Sequence, residues 1–454
     1  MKPKNQLTPF SKLFILVLIL AGLFALVKFF YIDKLNSSDS TNSEEIQKGD
    51  YVLIMSGSNT IGDKLAPNLI KTFLEKKGYT EISSKSINTD ETEVFYKEND
   101  ESKKILIRAH GTKAGFSDMQ SDENILVMAS RQIKEEELSL LSKYGDLTSN
   151  QSEFVIGLDG IAMIINSDNS IKKLDKSILA QVFLGELSDW SQLNPSKKGK
   201  INLYSRDEKS GTYDAFVQLV LNLKTISTDV VRLADSRELV EKVSADPNSI
   251  GFVSMAYSSG IKTIAVSDGT ENAFYPTKLT VATEDYPLTR KLYFYVSPKS
   301  NNALAKDFTI FVLSKEGQAI LGEEGFVEFM EKEMTDKPYP VLPSDAKRLS
   351  INFRFKSGSL ELDNKSFIDI GRLAEKTDLA GAEIYLIGFA DSKGNDQANI
   401  DLSKSRADAV KTELNSAGIK VAKTFGLGKA FPIASNETPE GMQKNRRVEI
   451  WIKK

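Results

Sequence analysis

The chain has 454 residues, enough for two or three domains, and 59 Lys and Arg set against 62 Asp and Glu leave a formal net charge of −3. This near balance argues against a nucleic-acid polyanion as partner. There is no cysteine and only one histidine, which removes disulfides, thiolate metal sites, thiol catalysis, cysteine lipidation and any histidine-cluster metal centre.

The first segment is patterned for a membrane. Lys2, Lys4 and Lys12 precede the uncharged apolar run from Leu13 to Val27, and Phe29-Phe30-Tyr31-Ile32 extend it to spanning length while Lys28 snorkels. The positive flank is expected to stay in the cytoplasm, making 1–32 a cytoplasmic flank and single-pass transmembrane signal anchor. A cleaved signal peptide is the competing reading, but no small-x-small processing site follows the run, which favours an uncleaved anchor. Residues 33–50 are rich in Ser, Asn and acids and read as a flexible linker with a reach of ~20 Å.

From Tyr51 to about Glu333, strand-like runs (Ile105 to Ala109, Ile125 to Ala129, Ile161 to Asn166, Ile250 to Val253) alternate with helix-like ones (Glu135 to Leu141, Arg237 to Val243). This alternation predicts an α/β domain, assigned to 51–336, whose ligand lies beyond the carboxyl ends of its strands. The stretch from Ser205 to Phe216 concentrates what an oxyanion needs. Asn202 to Tyr204 ends a strand, Ser210-Gly211-Thr212 opens a helix through Phe216, Val217, Val220 and Leu221, and Arg206 supplies a planar fork of donors. An ordinary helix cap beside a surface arginine is the plainer alternative. Ser56 to Gly62 is a second small-residue loop before a helical pattern through Leu65, Leu69, Ile70, Phe73 and Leu74. It is no nucleotide P-loop, because Asp63 and Lys64 stand where Lys and Ser/Thr are required.

The segments SGSNTIGDKLAP, MASRQIKEEEL, IAMIINSDNSIKKLD, VFLGELSDW, SRDEKSGTYDAF, IGFVSMAY, YPLTRKLYFYV and LSKEGQAILGEEGF stand in the order found in phosphate-binding proteins of ABC transporters. Over about residues 51 to 333 the chain resembles that family. The resemblance implies a type II-like periplasmic-binding-protein fold of two α/β lobes around a hinged cleft, with the second lobe expected near Phe154 to Pro247. It also implies phosphate contacts at Ser58, Thr60, Ser130, Arg131, Arg206, Ser210, Gly211 and Thr212. Glu208, or else Asp207, stands where the family places a carboxylate that accepts a proton from bound phosphate and so rejects sulfate. Arg131 has an alternative role in a structural ion pair. His110 suits a loop or capping role, and Trp190 a lobe core.

Residues 337–347, beginning Lys337-Pro-Tyr-Pro-Val-Leu-Pro343, read as a proline-rich, semi-rigid linker. Beyond it, Ile351, Phe353 and Phe355 alternate as a strand, and Phe367, Ile370 and Leu373 mark a helix. Further strands are expected at Ile384 to Gly388, at Phe425 and at Val448 to Ile452, with a helix from Leu402 to Leu414. INFRFKSGSLELD, IGFADSKG, NIDLSKSRADAVKTEL, GLGKAFPIASNETPEG and NRRVEI make 348–454 similar to the OmpA-like peptidoglycan-binding family, a small α+β domain. Phe389 and Ala390 replace the histidine and threonine common in its loop. The resemblance assigns recognition of a diaminopimelate-containing stem peptide to Asp391 for the ammonium and Arg406 for the carboxylate, with Asn399 bracing the loop.

The expectation is therefore an inner-membrane protein with its bulk in the periplasm. It binds inorganic phosphate in a cleft and grips peptidoglycan non-covalently, without catalysis, cofactor or metal. An ABC permease is a further partner implied by the resemblance. Two alternatives stand beside it: an envelope tether whose lobes no longer bind an anion, and a binding protein for sulfate or molybdate.

Overall fold

The computed structural model describes residues 51–208, 210–270, 272–329, 331–334, 336–355, 359–376, 379 and 381–454. The expected anchor (1–32) and linker (33–50) lie outside the described residues. Among those described, no helix is long and apolar enough to cross a membrane.

The first lobe begins with β1 (Leu53–Gly57), α1 (Asn59–Gly62) and α2 (Leu65–Lys76). A meander follows: β2 (Thr80–Asn88), β3 (Glu91–Glu98) and β4 (Glu101–Arg108). Then come α3 (Thr112–Ser121), β5 (Leu126–Ala129), α4 (Glu135–Leu141) and β6 (Glu153–Ile165). The second lobe holds β7 (Lys173–Asp175), α5 (Lys176–Phe183), β8 (Asn202–Arg206), α6 (Gly211–Leu219), β9 (Val231–Leu233), α7 (Ser236–Ala245) and β10 (Ser249–Ser254). The short β11 (Lys262–Thr263), β12 (Ala265–Ser267), β13 (Ala273–Phe274) and α8 (Lys278–Ala282) lead to β14 (Thr289–Tyr295), α9 (Ala303–Leu313) and α10 (Lys315–Glu323). The last domain contains β15 (Lys347–Arg354), α11 (Asn364–Ala374), β16 (Glu383–Gly388), α12 (Asp396–Ser416), β17 (Val421–Gly426), α13 (Pro439–Asn445) and β18 (Arg447–Lys453).

An 11-stranded sheet runs β2-β3-β4-β1-β5-β14-β6-β10-β8-β9, with β11 also on β6. Its two halves share one strand. β6 pairs antiparallel with β14 from Glu153 to Gly160 and with β10 from Ile161 to Ile165. The lobes therefore meet inside β6 at about Gly160. This corrects the expected start at Phe154, which pairs with Phe294 in lobe one; the end near Pro247 is also early, since β10 belongs to lobe two. A continuous strand serving two sheets has no turn residue to announce the boundary.

Lobe one is built on the apolar stripe of α2, where Leu65, Leu69 and Phe73 recur every four residues and pack with Met55, Ile107 and Phe308. Pro67 is tolerated because it sits in the first turn, where no intrahelical partner for an N–H exists. In lobe two, Leu239 and Val243 of α7 cover Ile164 and Val253, and Trp190 is fully buried with its indole N–H on Asn248 O at 2.9 Å.

The C-terminal sheet runs β15-β18-β16-β17. Its inner face, with Phe353, Leu386, Val448 and Ile450, is covered by Val410 and Leu414 of α12. The proline-rich segment does not hold this domain at a distance. Tyr339 packs its ring within 5.5 Å of those of Phe389, Phe431 and Trp451, and Leu342 is buried beside them. Burial of aromatic area overrides the extended preference of the prolines, and residues 51–454 form one compact unit.

The anion cleft and the arginine pocket

Parallel pairing of β1 with β4 and β5 brings their carboxyl ends together on one rim of lobe one. β1 ends at Gly57, with φ +137° and a missing Cβ that would stand 2.0 Å from Met128 O, so only glycine fits. Ser58 N then donates to Met128 O at 2.8 Å and starts α1. Its Oγ is buried without a hydrogen-bond partner. Ser130 follows β5; its N donates to Thr112 Oγ1 at 3.1 Å, and its Oγ lies 3.3 Å from the same oxygen.

Lobe two meets this rim with the start of α6. Ser210 caps the helix by accepting from Thr212 N at 3.2 Å. A Cβ added to Gly211 would lie 2.6 Å from Ser130 Oγ, 3.3 Å from Thr60 Oγ1 and 3.4 Å from Ser58 Oγ. Three hydroxyls from lobe one thus converge on the first residue of a lobe-two helix, where unpaired N–H groups and the helix dipole favour negative charge. One buried hydroxyl there, Ser58 Oγ, has no partner among the described residues, and leaving such a group unsatisfied is costly. A small oxyanion is a group that would satisfy such a hydroxyl at a helix start.

Arg290 holds this junction together. It stands on β14 opposite Asp159 of β6, where the chain crosses between lobes. Its Nη2 lies 2.6 Å from Asp159 Oδ2 and donates to Thr212 Oγ1 at 3.0 Å and to Thr60 Oγ1 at 3.2 Å, while Nη1 donates to Gly211 O. Asp159 is fully buried and also accepts from Ser254 Oγ at 2.7 Å. Sequence reasoning passed over Arg290, although an Arg-Lys pair inside the otherwise apolar strand TRKLYFY was a usable signal. Successive strand residues face opposite sides, so two cations there need two separate partners.

Beside the junction opens a cleft of about 600 Å³ lined by Thr60, Arg206, Asp207, Ser210, Thr212 and Tyr257, among others. Arg206 Nη1 donates to Ser236 Oγ at 2.5 Å, Nη2 to Ala234 O at 2.6 Å and Nε to Leu233 O at 3.3 Å. Of five guanidinium donors, these three are engaged and two have no acceptor among the described residues. Burial lowers the pKa of Arg206, opposed chiefly by Asp207. The carboxylate on the cleft wall is Asp207, not Glu208. The turn after β8 carries Glu208 outward, where it is 67% exposed and 3.5 Å from Arg232. Arg131 is engaged in a two-pronged ion pair with Glu137 at 2.7 and 2.8 Å, so its place is the structural alternative. Tyr257 of lobe two donates to Asp63 of lobe one at 3.3 Å, and burial followed by that carboxylate pushes its pKa up to about 12. His110 lies in the loop before α3, 3.3 Å from Glu91.

In the C-terminal domain, Asp391 and Arg406 lie near each other but are not paired. Asp391 Oδ2 is 2.6 Å from Arg446 Nη1, and its Oδ1 accepts from Lys393 N at 2.9 Å. Arg446 was missed, although the sequence already set it in the NRRVEI segment. Arg406 is 2% exposed, its guanidinium carbon 5.4 Å from the centre of the Phe355 ring, and its Nε and Nη1 have no partner among the described residues. Burial and the like charge of Arg446 push its pKa down to about 10, with Asp391 opposing. Asn399 is also buried, with Nδ2 unpartnered. It lies in the second turn of α12, which begins at Asp396 rather than Leu402 because Asn395 caps it, accepting from Ala398 N.

Two lobes sharing a crossing strand around a polar cleft define a bilobal α/β fold rather than a closed barrel. Comparison with known proteins gives the family. A model described as the PBP superfamily domain matches residues 66–316, more than half of the chain, and the OmpA family matches 354–446. The "Phosphate-binding protein PstS" of Staphylococcus saprophyticus is 31% identical over 235 residues, covering 50% of this chain and 72% of that protein. Its namesake from Staphylococcus epidermidis is 33% identical over 224 residues, 48% and 67% of the respective chains. An ABC-type phosphate transport receptor from Vibrio cholerae aligns over 61% of this chain and 99% of its own, with a TM-score of 0.48 and 19% identity. The chain belongs to the PBP superfamily, in its PstS-like branch, and carries an OmpA-family domain at its C-terminal end.

Proposed function

We propose that this protein binds inorganic phosphate between its lobes and peptidoglycan through its C-terminal domain, as a binding protein without catalysis. The observation that carries the first part is the convergence of Ser58, Thr60 and Ser130 on Gly211, with Ser58 Oγ unsatisfied. Arg206 supplies charge from the cleft wall, and Asp207 provides the acceptor that a protonated phosphate satisfies and a sulfate does not. The phosphate-binding names of the relatives support this choice of ligand. Titration calorimetry of the full chain is expected to show phosphate bound at least tenfold more tightly than sulfate or molybdate. Gly211→Ala, whose new methyl group would occupy the convergence point, should weaken phosphate at least tenfold, or about 1.4 kcal/mol. No heat with any of the three anions would leave the lobes as a spacer.

The second part rests on Arg406, a buried guanidinium with open donors beside Asp391, and on the OmpA-family match. We further infer that 1–32 anchors the protein in the inner membrane, holding both domains in the periplasm within reach of an ABC permease. The apolar run without a processing site motivates this. The intact mass of the protein from the membrane fraction should include Met1 or begin close to it. A soluble form starting after about Tyr31 would rule the anchor out.

A further inference from the structure

The C-terminal domain grips the stretch of chain that carries Arg290. Thr283 O accepts from Asn352 Nδ2 at 2.7 Å and from Arg354 Nη2 at 3.1 Å. Asp285, 2% exposed, meets Arg348 Nη1 at 2.9 Å and accepts from Asn352 Nδ2 at 3.1 Å. Lys444 Nζ donates to Tyr286 O at 2.8 Å and Pro287 O at 2.7 Å. On the other side of Arg290, Lys291 Nζ lies 2.7 Å from Asp363 Oδ2. Contacts to the C-terminal domain therefore flank Arg290 on both sides within one nine-residue segment. Arg290 itself joins Thr60 of lobe one to Gly211 and Thr212 of lobe two.

The same grip reaches the arginine pocket. Lys444 and Gln443 are neighbours on α13, and Arg446 donates through Nη2 to Gln443 Oε1 and through Nη1 to Asp391 Oδ2. Gln443 in turn donates to Phe355 O at 2.7 Å, and Arg354 donates to Lys444 O. A cationic ligand group arriving at Asp391 competes with Arg446 for that carboxylate. Arg446 then pulls less on Gln443 Oε1, which leaves Gln443 held by its bond to Phe355 O and loosens one of the ties on α13. Lys444 holds two carbonyls three and four residues before Arg290, so α13 is bonded directly to the segment that leads into the crossing strand.

We propose that the arginine pocket and the anion cleft are negatively coupled through α13 and residues 283–291: wall peptide at Asp391 and Arg406 loosens the Arg290 cross-tie and favours release of the anion. This rests on the binding reading above and adds the regulation of that site. The physical requirement is an element that both ligands bias, and the segment from 283 to 291 is that element. Linkage makes the effect reciprocal.

The test is calorimetry on the full chain with inorganic phosphate and a soluble diaminopimelate-containing stem tripeptide, each alone and each in the presence of the other at saturation. Phosphate affinity is expected to fall by about fivefold or more when the peptide is bound, and peptide affinity by the same factor when phosphate is bound. Lys444→Met should leave each ligand's separate affinity within threefold of wild type and bring the coupling factor close to one. A role for Lys444 in stability alone would lower both affinities together and leave the factor intact. Both ligands binding, each with the same affinity within twofold whether or not the other is present, would overturn the coupling and leave the binding reading standing. A mutual increase in affinity would also overturn it. Failure of either ligand to bind at all would sink the binding reading, and the coupling with it.

Discussion

Replacing Arg290 with alanine should produce the largest combined loss of stability and phosphate affinity of any single change at the cleft. The side chain is 4% exposed and its partner Asp159 fully buried. Without the guanidinium, Asp159 retains Ser254 Oγ but no counter-charge, and breaking a buried pair in this way costs about 3–5 kcal/mol. The anion site suffers separately. Arg290 is the tie between Thr60 Oγ1 and the start of α6, so its loss lets the lobe-one hydroxyls separate from Gly211. Losing hydrogen bonds to a charged group is worth about 1.5–3 kcal/mol, which predicts roughly tenfold to hundredfold weaker phosphate. Arg290→Lys separates the two effects. An ammonium beside Asp159 keeps the buried charge compensated, so thermal unfolding should stay closer to wild type. A compact ammonium cannot reproduce the fork that reaches Thr60, Thr212 and Gly211 at once, so phosphate should still weaken at least tenfold. A folded lysine variant that binds phosphate as wild type does would show that Arg290 only supports the fold.

Local pattern carried much of the fold. The α4 bounds and the strand cores at Leu126 to Ala129 and Ile250 to Val253 follow from short-range periodicity, and the structure places elements there. What periodicity lacked was tertiary. β2 is the polar segment TEISSKSIN, exposed along most of its length, and a sheet-edge strand with so little to bury has no alternation to detect. Tyr339 in the proline-rich segment offered a signal, since an aromatic amid prolines needs a surface to cover, but the surface comes from residues up to 112 positions away. The site divided along the same line. Ser210, Gly211 and Thr212 are contiguous and mark a helix start, so the sequence exposes them directly. Arg290 and Asp159 are 131 residues apart and become partners only when two crossing strands fall into register. Glu208 and Asp207 are adjacent, and only the direction of the turn decides which carboxylate meets the cleft.

Arg406→Met should make the free protein more stable and abolish its association with peptidoglycan, a pairing of effects that a structural arginine would not give. The guanidinium is nearly fully buried, yet Nε and Nη1 find no acceptor among the described residues, and its pKa is depressed toward 10 by that burial and by Arg446. An unsatisfied buried polar group costs about 1–3 kcal/mol. Methionine retains the apolar stem and its packing on Phe355 while removing the unmet donors, so thermal unfolding should move upward. The same change removes the two-pronged partner for a ligand carboxylate, whose loss from a buried charged contact is worth about 2–5 kcal/mol, or at least thirtyfold in affinity. Asp391→Asn is the companion variant. It weakens the hold on Arg446 and on a ligand ammonium together, and is expected to reduce co-sedimentation of the full chain with purified diaminopimelate-type peptidoglycan to background. Arg406→Lys should also fail to sediment, because a single ammonium cannot present parallel donors to a carboxylate. If Arg406→Met lowered the unfolding midpoint and still sedimented with the wall, the open donors would have to be assigned to a structural role and the pocket reading abandoned.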